Sequence, residues 1–519
     1  MAIFKKKVNQ RRQQVRESRT AERMGRITEF LESGLPRSIG LAVCFAILSA
    51  FILSIQGNAA TLDIAPAAAV FAYMVISLLM TSAMMLYIYT YEPRILIKFS
   101  RILSFLLLLL VLLMLTKIGT LTDEWMYLST GTAVTSAIIL SITYNQRSAM
   151  VLSMLYAALA CFALTQHNNV ELFFTMTAGI FGCCFNLKEI RTRMKLIQVS
   201  SIAAAAVFAA SFAVTLISGL PFVNVFQRAG SAAFVTLVVG LIIQGFLPVI
   251  ERLFGVVTSM TLLDYSDANQ PLLRKLAMET PGTFSHSLLV GTIAEKAAEA
   301  IGVNGLLCRV GAYYHDIGKV NKPDYFFENQ MGGLNRHDQL SPTMSKHVIV
   351  GHVKDGIEIA KEYGLPPAIR QFIETHHGRT LIKYFYEEAK KQSTTKGTNV
   401  HEQDYRYPGP CPQTKEAAIV MLADSVESAV RAMLEPSSSR IKTLIHNMAM
   451  ARLQDGQFDQ CDLTFKELAK IEDALTKSLV AHHHARIAYP DSRDEKKNPN
   501  DSRFTDEAKD KNAANRDDQ

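Results

Sequence analysis

The sequence predicts an all-α protein in two parts, a polytopic helical membrane domain followed by an all-helical aqueous domain. Three observations predict it. Apolar stretches long enough to cross about 30 Å of hydrocarbon crowd the first 250 of the 519 residues. After residue 280 the apolar spacing follows the helical period, with only short β-branched runs. Hydrophobic residues make up 49% of the chain and charged residues 19%, with a mean hydropathy of +0.14, the balance of a membrane protein that carries an aqueous domain. Length excludes a single small domain and composition excludes disorder throughout. Seven cysteines, an odd number with no CxxC pair, make no visible disulfide framework.

The chain opens on a basic arm, residues 1–35, with Lys5, Lys6, Lys7, Arg11, Arg12, Arg16, Arg19, Arg23 and Arg26. Its length and charge argue against a cleaved signal peptide, so the first span reads as a retained anchor. Eight spans are expected, near 36–55, 64–89, 102–120, 123–143, 148–164, 170–187, 198–219 and 231–250. Threading them from a cytoplasmic arm places Arg94, Lys98, Arg101, Arg147, Lys188, Arg191, Arg193 and Lys195 inside, and leaves only Lys117 and Arg228 as basic residues outside. Both termini are therefore expected in the cytoplasm, with the spans in the cell (inner) membrane. The net charge of +7 is read as membrane orientation, and no nucleic-acid polymer is expected as a partner. Charged residues are nearly absent within the spans, which places a transporter last among the alternatives.

Residues 251–280 read as an amphipathic connector helix. Pro281-Gly282 turns the chain into an all-α domain over 281–484, and the polar, charged composition of 485–519 predicts a disordered tail. Twelve of the thirteen histidines follow residue 280. A lone His-Asp pair such as His315-Asp316 is weak, since a histidine on an apolar helix is more often a hydrogen-bonded core residue. Its company changes that. His286 lies on the apolar side of a helix reaching Ile301. A helix from Ser341-Pro342 to Gly364 carries His347 and His352 about 140° apart, so they cannot serve one buried site. His352 has the apolar neighbours, and His347 reads as surface. His376 and His377 end a short helix before Gly378, where both rings can turn toward one point. Asp424 sits on an apolar helix face and must be paired or metal-bound. Glu427 is expected to pair with Arg431 at i,i+4.

His286, His315, Asp316, His352, His376, His377 and Asp424 form a nitrogen and oxygen donor set without thiolates, which favours Fe or Mn over structural zinc. Seven side chains exceed what one ion with an open position can use, and two divalent metal ions bridged by Asp316 resolve the count. The terminal His482, His483 and His484 read as a solvated cluster.

These residues resemble the HD superfamily of metal-dependent phosphohydrolases and, within it, the membrane-bound seven-transmembrane HD family of cyclic-di-AMP phosphodiesterases. The likeness is carried by Pro281-Gly-Thr-Phe-Ser-His286, Gly311-Ala-Tyr-Tyr-His-Asp-Ile-Gly-Lys319, Glu328-Asn-Gln330, Asn335-Arg-His337-Asp338, His352-Val-Lys-Asp-Gly356, His376-His-Gly378, Tyr407-Pro-Gly-Pro410 and Ala423-Asp424-Ser. The resemblance implies an all-helical HD domain in which His286, His315, Asp316 and Asp424 surround one ion. It implies that Asp316, His352, His376 and His377 hold the other. It also implies catalytic roles for His315, Asp316 and Lys319, the lysine neutralising substrate phosphate, and hydrolysis of cyclic di-AMP to linear pApA by a metal-activated hydroxide. It assigns His337 no task. Family members commonly carry a large extracytoplasmic domain between the first two spans, where this chain has only about eight residues, Gln56 to Asp63. Ser285 stands where the family often has another histidine, and no Gly-Tyr-Pro signature of the cyclic-di-GMP branch follows His377. The partners expected are a cyclic dinucleotide and the lipid bilayer, with a homodimer left open. The rivals are an HD phosphohydrolase acting on cyclic di-GMP or another nucleotide, and a membrane receptor that binds a nucleotide without turnover.

Overall fold

The structure, a computed structural model of the chain, describes residues 35–58, 61–97, 99–121, 127–163, 169–188, 190–330, 335–396, 399–434 and 436–484. The charged tail at 485–519 and the basic arm, except Leu35, lie outside the described residues. The chain divides into two compact units, one of Met1–Phe284, Tyr313–Asn329 and Gly351–Ile373, the other of Ser285–Ala312, Gln330–Val350 and Glu374–Gln519.

In the first unit, the described part of every expected span coincides with a helix, residues 123–126 and 164 lying outside the described residues: α1 (Leu35–Ser54), α2 (Ala67–Tyr91), α3 (Phe99–Thr120), α4 (Leu128–Thr143), α5 (Gln146–Cys161), α6 (Asn169–Asn186), α7 (Arg193–Ile217) and α8 (Phe222–Phe254). Five of them, α1, α2, α3, α7 and α8, are long and apolar enough to cross a membrane. Helices α4, α5 and α6 are shorter, at 16, 16 and 18 residues. Between α1 and α2 the expected loop is a small antiparallel hairpin, β1 (Ile55–Asn58) on β2 (Thr61–Ile64), a departure from an all-helical reading.

Small residues bring these helices close, as suits packing without a hydrophobic drive between them. A Cβ at Gly182 in α6 would lie 2.8 Å from the Ala203 Cα of α7, and one at Gly240 in α8 would overlap Ser200 of α7. Some buried hydroxyls pair within the bundle, with Thr116 bonded to Thr132 at 2.7 Å and to Tyr156 at 3.0 Å. Lys117, expected near an outer loop, is buried at the end of α3. Its ammonium donates to the carbonyls of Leu53 (3.4 Å) and Ala163 (2.9 Å), tying together the ends of α1 and α5. Those carbonyls are orphans of helix termini, which a cation complements.

The connector is not one helix. Helix α8 runs to Phe254 and stops at Gly255, whose φ of +63° is the left-handed cap that glycine adopts freely. Two short helices follow, α9 (Ser259–Ser266) and α10 (Pro271–Glu279), separated by a turn in which the Asp267 carboxylate accepts from the Asn269 N–H at 2.9 Å. Glu251, still on α8, accepts from the Thr258 N–H (2.7 Å) and the Thr261 hydroxyl (2.8 Å), and so anchors the start of α9.

The chain continues through α11 (Pro281–Ile301), α12 (Gly305–Tyr314), α13 (Pro342–Glu362), α14 (Pro367–Thr375), α15 (Lys383–Lys396), α16 (Lys415–Arg431), α17 (Ser438–Gln454) and α18 (Phe465–His484). Helix α13 begins as its sequence predicts, with the Ser341 hydroxyl accepting from the Met344 N–H at 3.3 Å, and Gly364 follows its end at φ +67°. Within the second unit α16 is the central helix. Its residues Ala417 to Asp424 are all buried, and α17 and α18 pack on it and on each other. Arg406 grips the Asp455 carboxylate with both terminal nitrogens, at 3.0 and 2.9 Å, the fork geometry that makes such pairs strong.

Candidate metal centre

In the first unit, His315 and Asp316 sit where α12 gives way to a 3-10 turn, Ile317–Asn321, and both are buried. The turn exists because α13 crosses immediately above it. A Cβ at Gly318 would collide with the His352 carbonyl oxygen, and one at Gly356 would lie 2.8 Å from the Ile373 side chain. This close crossing sets His352 against Asp316, Nε2 to Oδ1 at 3.4 Å, while His315 Nε2 lies 3.2 Å from Asp316 Oδ2. Lys319 completes the group. Its ammonium is 2.7 Å from Asp316 and 2.7 Å from Glu328, and it lies 5.0 Å from the centre of the Phe326 ring. Burial disfavours the charged ammonium, but Asp316 and Glu328 outweigh it and hold the Lys319 pKa above its ordinary value. Burial likewise opposes ionisation of Glu328, and Lys319 keeps that carboxyl below the usual range. Glu328 is itself placed by the chain around Gly282. The Thr283 hydroxyl donates to it at 3.1 Å, and the Thr283 N–H donates to Asn329 at 3.1 Å.

In the second unit, His286 on α11 faces two carboxylates of α16. Nδ1 lies 2.5 Å from Glu427 and Nε2 lies 3.0 Å from Asp424. A neutral imidazole carries one N–H. If Nδ1–H donates to Glu427, the Nε2 lone pair confronts the acceptor Asp424, and two acceptors at this distance call for a cation or a proton between them. This arrangement fits a metal ion, because ligating histidines characteristically give their second nitrogen to a carboxylate. His376 and His377 follow α14, their rings 4.0 Å apart, with Gly378 at φ +51° turning the chain beneath them. His377 stacks on Tyr407, ring centres 4.3 Å apart at 26°. The described residues of each unit thus hold buried His and Asp groups able to bind metal, and all the donors but the half-buried His377 are buried.

Three participants escaped the sequence reading. Glu427 does lie 3.8 Å from Arg431, as expected, but its shorter contact is to His286. Its signal was the spacing of three from Asp424, which puts both carboxylates on one helix face. Glu328 and Tyr407 lie in motif strings but had no role until their contacts were seen. His347 is exposed, as its helical angle predicts. His337 packs its ring against Phe385, 5.1 Å between centres, and His446 pairs with Glu472 at 3.0 Å. Glu427→Gln keeps the shape but weakens the acceptor on His286 Nδ1. Metal affinity is expected to fall about 10- to 100-fold, read by competition with a chromogenic chelator; unchanged affinity would show that Glu427 does not orient the ring.

The fold and these groups are those of a multi-pass membrane protein with an HD-type domain, whose buried His and Asp side chains could bind divalent metal. The family described as "HD domain" matches residues 283–429, and the one described as "7TM receptor with intracellular HD hydrolase" matches residues 67–258. The second match contains the seven helices α2 to α8, with α1 ahead of it. The cyclic-di-AMP phosphodiesterase PgpH of Bacillus subtilis is 39% identical over 408 residues, 76% of this chain and 56% of that protein. The protein of the same name from Listeria monocytogenes is 47% identical over 250 residues, 48% of this chain and 34% of that protein. A crystal structure of the Listeria PgpH HD domain in complex with cyclic-di-AMP is 47% identical and covers 42% of this chain and 100% of its own, with a TM-score of 0.40. The two family matches thus fall on successive parts of the chain, the membrane helices and the histidine-rich region after them. The chain spans about half the length of the Bacillus relative and a third of the Listeria one.

Proposed function

We propose that the chain is a membrane-bound, metal-dependent phosphodiesterase that hydrolyses cyclic di-AMP to linear pApA. The observation that carries this reading is the seven-donor set of buried or half-buried His and Asp side chains, His286 to Asp424, inside the segment matched by the HD family. The named activity of the two curated relatives supports the substrate. The domain limits follow the same reading, with the membrane domain at 36–250, the connector at 251–280 and the HD domain at 281–484. Basic residues on one side of the spans support cytoplasmic termini.

In this reading Asp316, His352, His376 and His377 hold one divalent ion. His286, His315, Asp316 and Asp424 hold the other, with Asp316 as the bridge. The nitrogen and oxygen donors favour Fe or Mn. When bound, the pair supplies a water of lowered pKa and neutralises charge on the phosphate oxygens. The residues do the rest. Glu427 holds His286 so that Nε2 faces inward. Asp316 keeps His315 and His352 in place. Lys319, fixed between Asp316 and Glu328, adds positive charge where the phosphate must sit. Water adds across one phosphodiester, the P–O3′ bond breaks, the freed ribose oxygen takes the proton, and the 5′-phosphate remains on the linear dinucleotide.

Incubating the purified chain in Mn²⁺ or Fe²⁺ buffer with cyclic di-AMP, cyclic di-GMP and a nucleotide panel tests this reading. Linear pApA is expected as the main product. Faster turnover of the guanine compound would transfer the assignment to that substrate, and metal and nucleotide binding without any product would make the chain a receptor.

A further inference from the structure

The first unit contains a cavity of about 660 Å³ that the proposed chemistry does not use. Its walls come from Pro248 and Arg252 at the end of α8, from Asp264 and Tyr265 on α9, from Tyr314 at the end of α12, and from the turn that starts at Tyr363. The Tyr314 hydroxyl donates to the Tyr265 carbonyl at 2.8 Å, closing one side. Two opposite charges line this space. Arg252 and Asp264 are exposed, and neither side chain has an ion-pair partner among the described residues. Glu251, which also lines the cavity, is already engaged by Thr258 and Thr261. The space therefore offers one uncommitted cation and one uncommitted anion beside tyrosines.

Its level along α8 identifies the ligand. The helix has 33 residues, about 50 Å at 1.5 Å per residue, against about 30 Å of hydrocarbon. Phe234 and Leu241, 66% and 50% exposed, share a face with Pro248 and Arg252, so an outward apolar stripe runs to the edge of the cavity. The cavity thus opens where a lipid-facing stripe ends, the level at which headgroups lie and tyrosines gather.

We propose that the cavity holds the headgroup of a bilayer phospholipid bearing both a phosphate and a primary ammonium, as in phosphatidylethanolamine. The phosphate meets Arg252, the ammonium meets Asp264, and the acyl chains follow the stripe of Phe234 and Leu241. A purely anionic headgroup would set its charge against Asp264, and a choline headgroup has no N–H to donate to that carboxylate.

This assignment does not depend on the proposed hydrolysis, and its readout is lipid retention. The full chain, purified in detergent and offered equal amounts of phosphatidylethanolamine, phosphatidylcholine and phosphatidylglycerol, is analysed by native mass spectrometry. Preferential retention of the ethanolamine lipid is expected. Arg252→Gln and Asp264→Asn, tested separately, should each lower it about tenfold, the scale of one charge-assisted hydrogen bond. Arg274→Gln, exposed on α10 and outside the cavity, should not. Equal retention of all three lipids, or wild-type retention by both cavity variants, would overturn the proposal. So would soluble phosphoethanolamine competing as strongly as the lipid, which would reassign the cavity to a free phosphate ester.

Discussion

Asp316→Ala is expected to abolish metal binding and hydrolysis together. The carboxylate is buried and lies within 3.4 Å of His315, His352 and Lys319, so its removal takes away the group around which the first-unit donors are arranged. If both ions share Asp316, neither retains a full coordination sphere. The loss of metal affinity should exceed the roughly 100-fold ceiling for residues that only support a ligand. Stability should fall as well, since Lys319 loses one of its two partners. Glu328 remains at 2.7 Å, so the cost stays below the 3–5 kcal/mol of a buried charge left fully alone, at roughly half of it. Asp316→Asn, close to it in shape, separates the two effects: the fold should survive while metal content, measured by elemental analysis, does not. Full metal content and turnover in either variant would remove Asp316 from the bridge.

Gly318→Ala should unfold the metal-binding segment of the first unit. The added methyl would meet the His352 carbonyl and the Gly356 N–H, both backbone groups of α13. Backbone cannot swing aside as a side chain can, and moving the helix would also displace His352 itself. A cost of about 3 kcal/mol or more is expected, at the upper end for overpacking. It should be visible as a lower unfolding temperature of the purified protein and as metal lost in parallel. A variant that melts with the wild type would mean that α13 can shift without penalty.

The helices and the burial of the candidate donors were legible for a physical reason: both are local. A span is a run of apolar residues, and the described part of each of the eight expected ones coincides with a helix. A candidate ligand such as His352 was separable from His347 because helical spacing alone sets the angle between them. The connector was not legible as two helices, because Gly255 and the Asp267 turn act through backbone conformation that hydropathy does not register. The hairpin at Ile55–Ile64 is eight described residues paired across a loop, too short for strand periodicity to stand out.

From the order of its residues alone this chain announced a helical membrane bundle, an all-helical region after it and a set of candidate donors, since each depends on neighbours within a few turns. Partnership over distance required folding. His286 meets Glu427 across 141 positions, Lys117 finds the ends of two other helices, and Gly318 is glycine because a helix that begins more than twenty residues later passes directly over it. No local period encodes such pairings, because they arise only when burial forces each polar group to find a partner in three dimensions.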